Sequence, residues 1–345
     1  MIQHSYFNLL WDTPWLLHAV TRYPLWCGVD LFFVISGYLI AGGLLRAFAA
    51  QPSRGTLGRF WLRRAFRLWP AAWFWLALML LGSAVLTNPP IYNTVPVNIG
   101  STLAGIFAYA NIRFGHANFF TPYGPSYPYW SLSLEEQFYA ALPLVMLICG
   151  RFLPWVMALA IIAQFPLPHS RLYMFLRTDA LLWGVLLACW ARQPSFRPTW
   201  LPCLPVLGLA ILAGVMFLMA SISPVLDSTP PYTVGIIAAG AAFLVWLAAQ
   251  DRNLFHAGPL QPIALWIGSR SYVLYLAHVP VFILACQLSR LAGAGALFGA
   301  NTDLRSAAIG IPMLVAATEF THRLVETPLR EFGARLAERT RGTDV

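Results

Sequence analysis

Residues 25–45, LWCGVDLFFVISGYLIAGGLL, decide the fold class. The stretch is apolar over the roughly 20 residues a helix needs to cross a hydrocarbon core. It holds one formal charge, Asp30, and Arg46 follows it directly. Comparable runs recur near 68–87, 136–150, 153–168, 176–191, 201–220, 232–249, 271–290 and 303–322. A shorter run at 97–112, containing Gly, Ser and Asn, reads as re-entrant or interfacial. Composition agrees. Of 345 residues, 59% are apolar and 10% charged, with a mean hydropathy of +0.64. Soluble domains carry about a quarter charged residues, so these values argue against a soluble enzyme and exclude a disordered chain. The fold class expected is all-α, a polytopic membrane helix bundle of about nine to ten transmembrane helices. No stretch between the runs is long enough to fold alone, so residues 1–345 read as one membrane domain.

The charges give an orientation. All 22 basic residues are arginine, and the formal net charge is +9. Cytoplasmic segments are enriched in Lys and Arg. With nine spans threaded as above, Arg46, Arg54, Arg59, Arg63, Arg64, Arg67, Arg151, Arg192, Arg197, Arg252, Arg270, Arg323, Arg330, Arg335, Arg339 and Arg341 share one side. The other side keeps Arg22, Arg113, Arg171, Arg290 and Arg305. The expectation is a multi-pass protein of the cell (inner) membrane, with the C-terminus and the Arg46–Arg67 loop cytoplasmic and the N-terminus outside. Residues 1–24 do not read as a cleavable signal, and Asp12, Pro14 and Arg22 make them a poor span. Cys27, Cys149, Cys189, Cys203 and Cys286 show no metal or redox spacing and read as small apolar residues.

Charges inside a span are costly, and where they occur they are paired or functional. Asp30 is one. Arg177 and Asp179 head Leu181-Leu182-Trp183-Gly184. Glu135 and Glu136 lie in WSLSLEEQFY at 130–139. Mutual pairing, for example of Arg177 with a carboxylate, is the plain alternative to a catalytic role. Arg63, Arg64 and Arg67 recur at i, i+1 and i+4, which gathers them near one helix face. Guanidinium bonds phosphate in bidentate fashion, so the cluster reads either as a phosphate site or as a headgroup anchor. His278 sits in SYVLYLAH at 271–278. A neutral imidazole can accept a proton near pH 7, although a lone histidine is more often a structural hydrogen-bonding residue. No metal motif, Walker loop, G-x-S-x-G elbow or G-x-G-x-x-G is present.

Taken together, these motifs resemble the acyltransferase-3 family of integral membrane acyltransferases. The matching pieces, in the family's order, are GVDLFFVISGYLI at 28–40, RRAFRLWP at 63–70, WSLSLEEQFY at 130–139, RTDALLWG at 177–184, IGSRSYVLYLAH at 267–278 and VETPLR at 325–330. The resemblance implies a bundle of about ten helices moving an acyl group from cytoplasmic acyl-CoA, acetyl-CoA above all. The acceptor it implies is a hydroxyl of a cell-envelope glycan, a lipid-linked sugar or a glycosylated metabolite. It places the CoA phosphates on Arg63, Arg64 and Arg67, and it makes an outward-lying histidine the general base.

His4, with its long following segment, matches that histidine. The arginine that the family places eleven positions earlier would lie before Met1, so a missing first helix is expected upstream of residue 1. His18 is the rival, and it fails because Phe7 stands eleven positions before it. Glu135 then orients the base or binds the acceptor. Asp30 orients a histidine or pairs with an arginine. Ser36 forms an acyl-enzyme or a close helix contact. Arg177, Asp179, Tyr275 and His278 line the acceptor cavity. The partners implied are membrane lipid, acyl-CoA and a carbohydrate acceptor, with no nucleic acid and no metal. A catalytically degenerate relative and a transporter-like membrane protein are the alternatives; a transporter would favour internal inverted repeats, and none is visible.

Overall fold

The computed structural model describes residues 14–50, 54–87, 92–117, 122–167, 177–198, 205–222, 230–250, 254–291 and 302–339. His4, Arg171, Cys203, Arg252 and Arg341 lie outside the described residues. Every regular element described is helical. In chain order these are α1 (Pro14–Arg22), α2 (Gly28–Ala50), α3 (Arg54–Val85), α4 (Val95–Ile106), α5 (Ala110–His116), α6 (Tyr129–Cys149), α7 (Leu153–Gln164), α8 (Asp179–Trp190), α9 (Pro205–Ser221), α10 (Thr233–Ala248), α11 (Gln261–Ser269), α12 (Ser271–Leu291), α13 (Thr302–Thr321) and α14 (Thr327–Arg339). Four stretches among the described residues are helical, long and apolar enough to cross a membrane: Leu25–Ala50, Gly55–Val85, Tyr129–Gln164 and Ser271–Leu291. The helices α4, α8, α9 and α10 are apolar but shorter.

Several boundaries differ from the sequence reading, each for a local reason. The arginine-rich segment before residue 68 is not a loop. From Arg54 it is helical and continuous with the following apolar run, giving the 32 residues of α3. Pro70 falls inside that helix; its missing N–H leaves the carbonyl four residues earlier without its helical bond. The run at 97–112 is two short helices, parted at Ala108, which takes the left-handed φ of 54°. Gly150, at φ 50°, falls between α6 and α7, a left-handed backbone conformation that glycine adopts without strain. Pro14 opens α1 at a position where a helix tolerates proline.

The chain divides into two compact units. The first comprises residues 1–21, 58–133 and 265–345. Its core gathers Ala71, Trp75, Leu76 and Met79 of α3 with Ala104 of α4, Ala277, Val281, Phe282 and Ala285 of α12, and Leu314 of α13. Phe66 packs on Phe332 of α14, ring centroids 5.5 Å apart, and a Cβ on Gly333 would fall 2.6 Å from the Phe66 ring.

The second unit comprises residues 22–57 and 134–264. Its centre is α2 against α8, with α10 packed on both. Gly37 and Gly184 face each other. A Cβ on Gly184 would lie 2.6 Å from the Tyr38 nitrogen and 2.8 Å from the Gly37 Cα. In lipid, helices gain little from hydrophobic burial against each other and associate through close contact at small residues, so these two glycines set the approach of α2 and α8. Asp30 meets Arg177 at the same sequence offset as Gly37 meets Gly184. A constant offset of that sign means that α2 and α8 run parallel.

Candidate active site and comparison with known proteins

In the second unit, Asp30 in the first turn of α2 and Arg177 just before α8 form a buried ion pair at 2.5 Å, with 0% and 3% of their side chains exposed. Of the two readings open for Asp30, pairing with an arginine is the one observed. The indole of Trp26 lies under the Arg177 guanidinium, 4.7 Å from the ring centroid to Cζ. Asp179, buried in the first turn of α8, stands within electrostatic reach of Arg177. Neither of its carboxylate oxygens has a hydrogen-bond partner among the described residues, and the same holds for the Trp26 Nε1. Two carboxylates therefore sit at the amino ends of parallel helices, where the helix dipole favours anions, with one guanidinium between them. The acceptor capacity of Asp179 and the donor of Trp26 are unspent, which suits a ligand rich in hydroxyls.

Further along α2, Ser36 donates to the Oε1 of Glu135 and approaches the Tyr139 hydroxyl at 2.5 Å. Tyr139 also donates to that Oε1. Glu135 is 2% exposed. It is a buried carboxylate held by two hydroxyls, one on its own helix and one on a neighbour. Ser36 thus makes a polar contact, in addition to standing beside the close-packed Gly37. Tyr139 was not singled out from sequence; its only signal is its place four residues after Glu135, on the same helix face. Trp26 carried no signal at all, because its role depends on an arginine distant in the chain. Glu136 is half-buried.

In the first unit, the Tyr275 hydroxyl bonds the Pro128 carbonyl at 2.9 Å and the Ser131 hydroxyl at 2.6 Å. His278, wholly buried, has its Nδ1 2.7 Å from the Tyr275 carbonyl. A carbonyl only accepts, so the Nδ1 carries a proton and donates it to that carbonyl. Arg63 and Arg67 are exposed on α3, and Arg64 is half-buried, with its guanidinium 5.9 Å from the Phe60 ring centroid. No carboxylate among the described residues pairs with Arg63 or Arg67. At 1.5 Å per residue, α3 is roughly 48 Å long, well beyond a hydrocarbon core of about 30 Å. A span ending near Val85 therefore leaves the Arg63–Arg67 end at headgroup level or beyond. Tyrosine hydroxyls brace α3 on both sides of Pro70: Tyr272 bonds the Leu68 carbonyl at 2.7 Å and Tyr129 the Ala72 carbonyl at 2.8 Å. A π-helical turn, His322–Glu326, leads into the VETPLR motif and shares Val325 and Glu326 with it. Within it, the Nδ1 of His322 lies 2.7 Å from the buried Glu326 carboxylate.

The structure thus joins Asp30, Arg177 and Asp179 in the second unit. It joins Tyr275 with His278 in the first, and it places Arg63, Arg64 and Arg67 on one helix. His18 is exposed on α1. No group of three His, Cys, Asp or Glu positioned to hold a metal ion occurs among the described residues.

The chain as a whole has counterparts among known proteins. The profile of a family described as an acyltransferase domain matches residues 4–317. The chain belongs to the acyltransferase-3 family. It is 28% identical over 344 residues to the peptidoglycan O-acetyltransferase OatA of Listeria monocytogenes, covering 89% of this chain and 51% of that protein. It is 28% identical over 335 residues to the O-acetyltransferase OatA of Staphylococcus aureus, covering 89% and 53%. The chain spans about half the length of these relatives. No solved structure matches it.

Proposed function

We propose that this chain is a multi-pass membrane O-acyltransferase of about nine to ten spans. It moves an acetyl or related acyl group from cytoplasmic acyl-CoA to a hydroxyl of a cell-envelope glycan, lipid-linked sugar or glycosylated metabolite. The relatives named peptidoglycan O-acetyltransferases favour a glycan of the envelope. The observation that carries the donor assignment is the helical array of Arg63, Arg64 and Arg67, with Arg63 and Arg67 exposed and without a carboxylate partner among the described residues. Guanidinium groups so placed meet the phosphates of CoA at the inner face, the side that the arginine bias along the chain favours for them.

In this reading His4 takes the proton from the acceptor hydroxyl as it attacks the thioester carbonyl. The new ester bond forms as the C–S bond breaks and CoA leaves as thiolate. Glu135, held by Ser36 and Tyr139, orients the base or the acceptor. Asp30 keeps Arg177 in place, and Arg177 and Asp179 offer complementary charge to sugar hydroxyls. Tyr275 and His278 serve the acceptor likewise. The test is acetyl-CoA turnover by purified protein with a glycan acceptor. Loss of turnover in His4→Ala with CoA binding retained supports the base role, and full activity in that variant refutes it.

A further inference from the structure

We propose that the second unit holds a site for an anionic phospholipid headgroup, separate from the acyl-donor and acceptor residues. Where α2 and α8 diverge beyond the Gly37–Gly184 contact, they leave a groove of about 320 Å3, lined by Tyr38, Leu39, Gly42 and Arg46 of α2, Ala188 of α8, and Arg192 just past the end of α8. Its floor is made of small residues; a Cβ on Gly42 would meet only the Arg46 Nη1, at 3.6 Å. Its rim carries two exposed guanidiniums and no lining carboxylate. Neither Arg46 nor Arg192 is ion-paired among the described residues.

Arg192 follows the carboxyl end of α8, where the helix dipole alone favours a cation. Arg46 has no such explanation, because it lies before the last turn of α2. Two unpaired guanidiniums over an apolar floor fit a phosphodiester with aliphatic groups below it. The groove opens sideways rather than only at its end: Leu39, which lines it, is 57% exposed, and Ile35 one turn earlier on the same face of α2 is an exposed apolar side chain as well. That apolar flank commits the occupant to a lipid arriving within the bilayer, its headgroup at the arginines and its chains along α2. Juxtamembrane arginines attract anionic headgroups by the same chemistry.

The experiment is native mass spectrometry of the full chain released from mixed phosphatidylcholine and phosphatidylglycerol, with phosphatidylglycerol as the probe. Wild type is expected to retain phosphatidylglycerol selectively. An Arg46→Gln/Arg192→Gln double variant should weaken retention about thirtyfold, as expected for two arginines acting on one anionic headgroup. Gly42→Leu, which fills the floor without changing charge, should lose it too. Arg151→Gln, a cation of another turn, should bind as wild type does. Both arginines are exposed, so the double variant keeps the test alive if Gly42→Leu does not fold. Retention unchanged in the double variant overturns the proposal. So does displacement of phosphatidylglycerol by millimolar acetyl-CoA, which would make the groove part of the donor site. Because the readout is lipid binding and not turnover, it stands or falls independently of the acyl-transfer reading.

Discussion

Replacing Arg177 with methionine is expected to destabilise the second unit more than replacing Asp30 with asparagine, and the buried triad supplies the reason. Asp30 and Arg177 are both almost fully buried and meet at 2.5 Å, with Asp179 acting on the same guanidinium. Removing one member of a buried ion pair costs about 3–5 kcal/mol, mostly as the penalty of the charge left behind. Asp30→Asn leaves Arg177 with Asp179 still beside it, so its cost falls at or below the lower end. Arg177→Met strands two carboxylates. It also removes the stack on Trp26, which contributes about 0.5–2 kcal/mol, so its cost lies at or above the upper end. Asp30→Leu combined with Arg177→Met and Asp179→Leu removes every charge of the group and is expected to recover most of the loss, as uncharged replacements of buried pairs do. The assay is thermal unfolding of the purified protein in one detergent or nanodisc, followed by native fluorescence, with binding of acetyl-CoA as a check on fold. Equal small losses in both single variants, below about 0.5 kcal/mol, would show that the triad is not energetically coupled; so would a triple variant less stable than Arg177→Met alone.

Other outcomes follow from the same geometry. Gly184→Ala drives a methyl into the α2 backbone near Tyr38 and should cost about 1–3 kcal/mol by overpacking; a melting temperature equal to wild type would contradict it. Ser36→Ala removes one of two hydroxyls on the buried Glu135 and should cost about 1–3 kcal/mol, measured against Tyr139→Phe in a double-mutant cycle that should show coupling. Tyr92, outside the long apolar helices, donates to the Pro280 carbonyl at 2.7 Å, and burial raises its pKa to about 12. Its raised folded value means this contribution is whole below about pH 10, the unfolded value, and is lost as pH rises through 12. Alkaline unfolding should therefore be shallower in Tyr92→Phe by about 2–3 kcal/mol over that range.

The apolar runs at 25–45, 136–150, 232–249 and 271–290 were legible because length and hydropathy alone specify a helix in lipid. The start of α3 was not. Six arginines between residues 46 and 67 break the apolar pattern, yet after Pro52 no proline recurs before Pro70, so the segment from Arg54 stays helical. The short helices α11 and α14 were also missed, since their apolar faces are too short or too diluted by charge to stand out. Buried charges announced themselves through the cost of placing them. Their partners did not: Asp30 finds Arg177 across 147 positions, a pairing that only the parallel packing of α2 and α8 creates. Ser36 and Glu135 were each visible in a motif, but their contact needed the fold, and the part played by Tyr139 emerged with it.

Acyl transfer from CoA to a glycan hydroxyl is decided by following the acyl label itself. Purified protein in nanodiscs is mixed with acetyl-CoA radiolabelled in the acetyl group and with soluble peptidoglycan glycan strands, and ester-linked label on the glycan is counted. The label is expected to require the glycan, to be released by mild base, and to fall at least tenfold in an Arg63→Gln/Arg64→Gln/Arg67→Gln variant still folded by its melting curve. Folded wild-type protein that leaves no label on any glycan, or a triple variant that transfers at the wild-type rate, would contradict it.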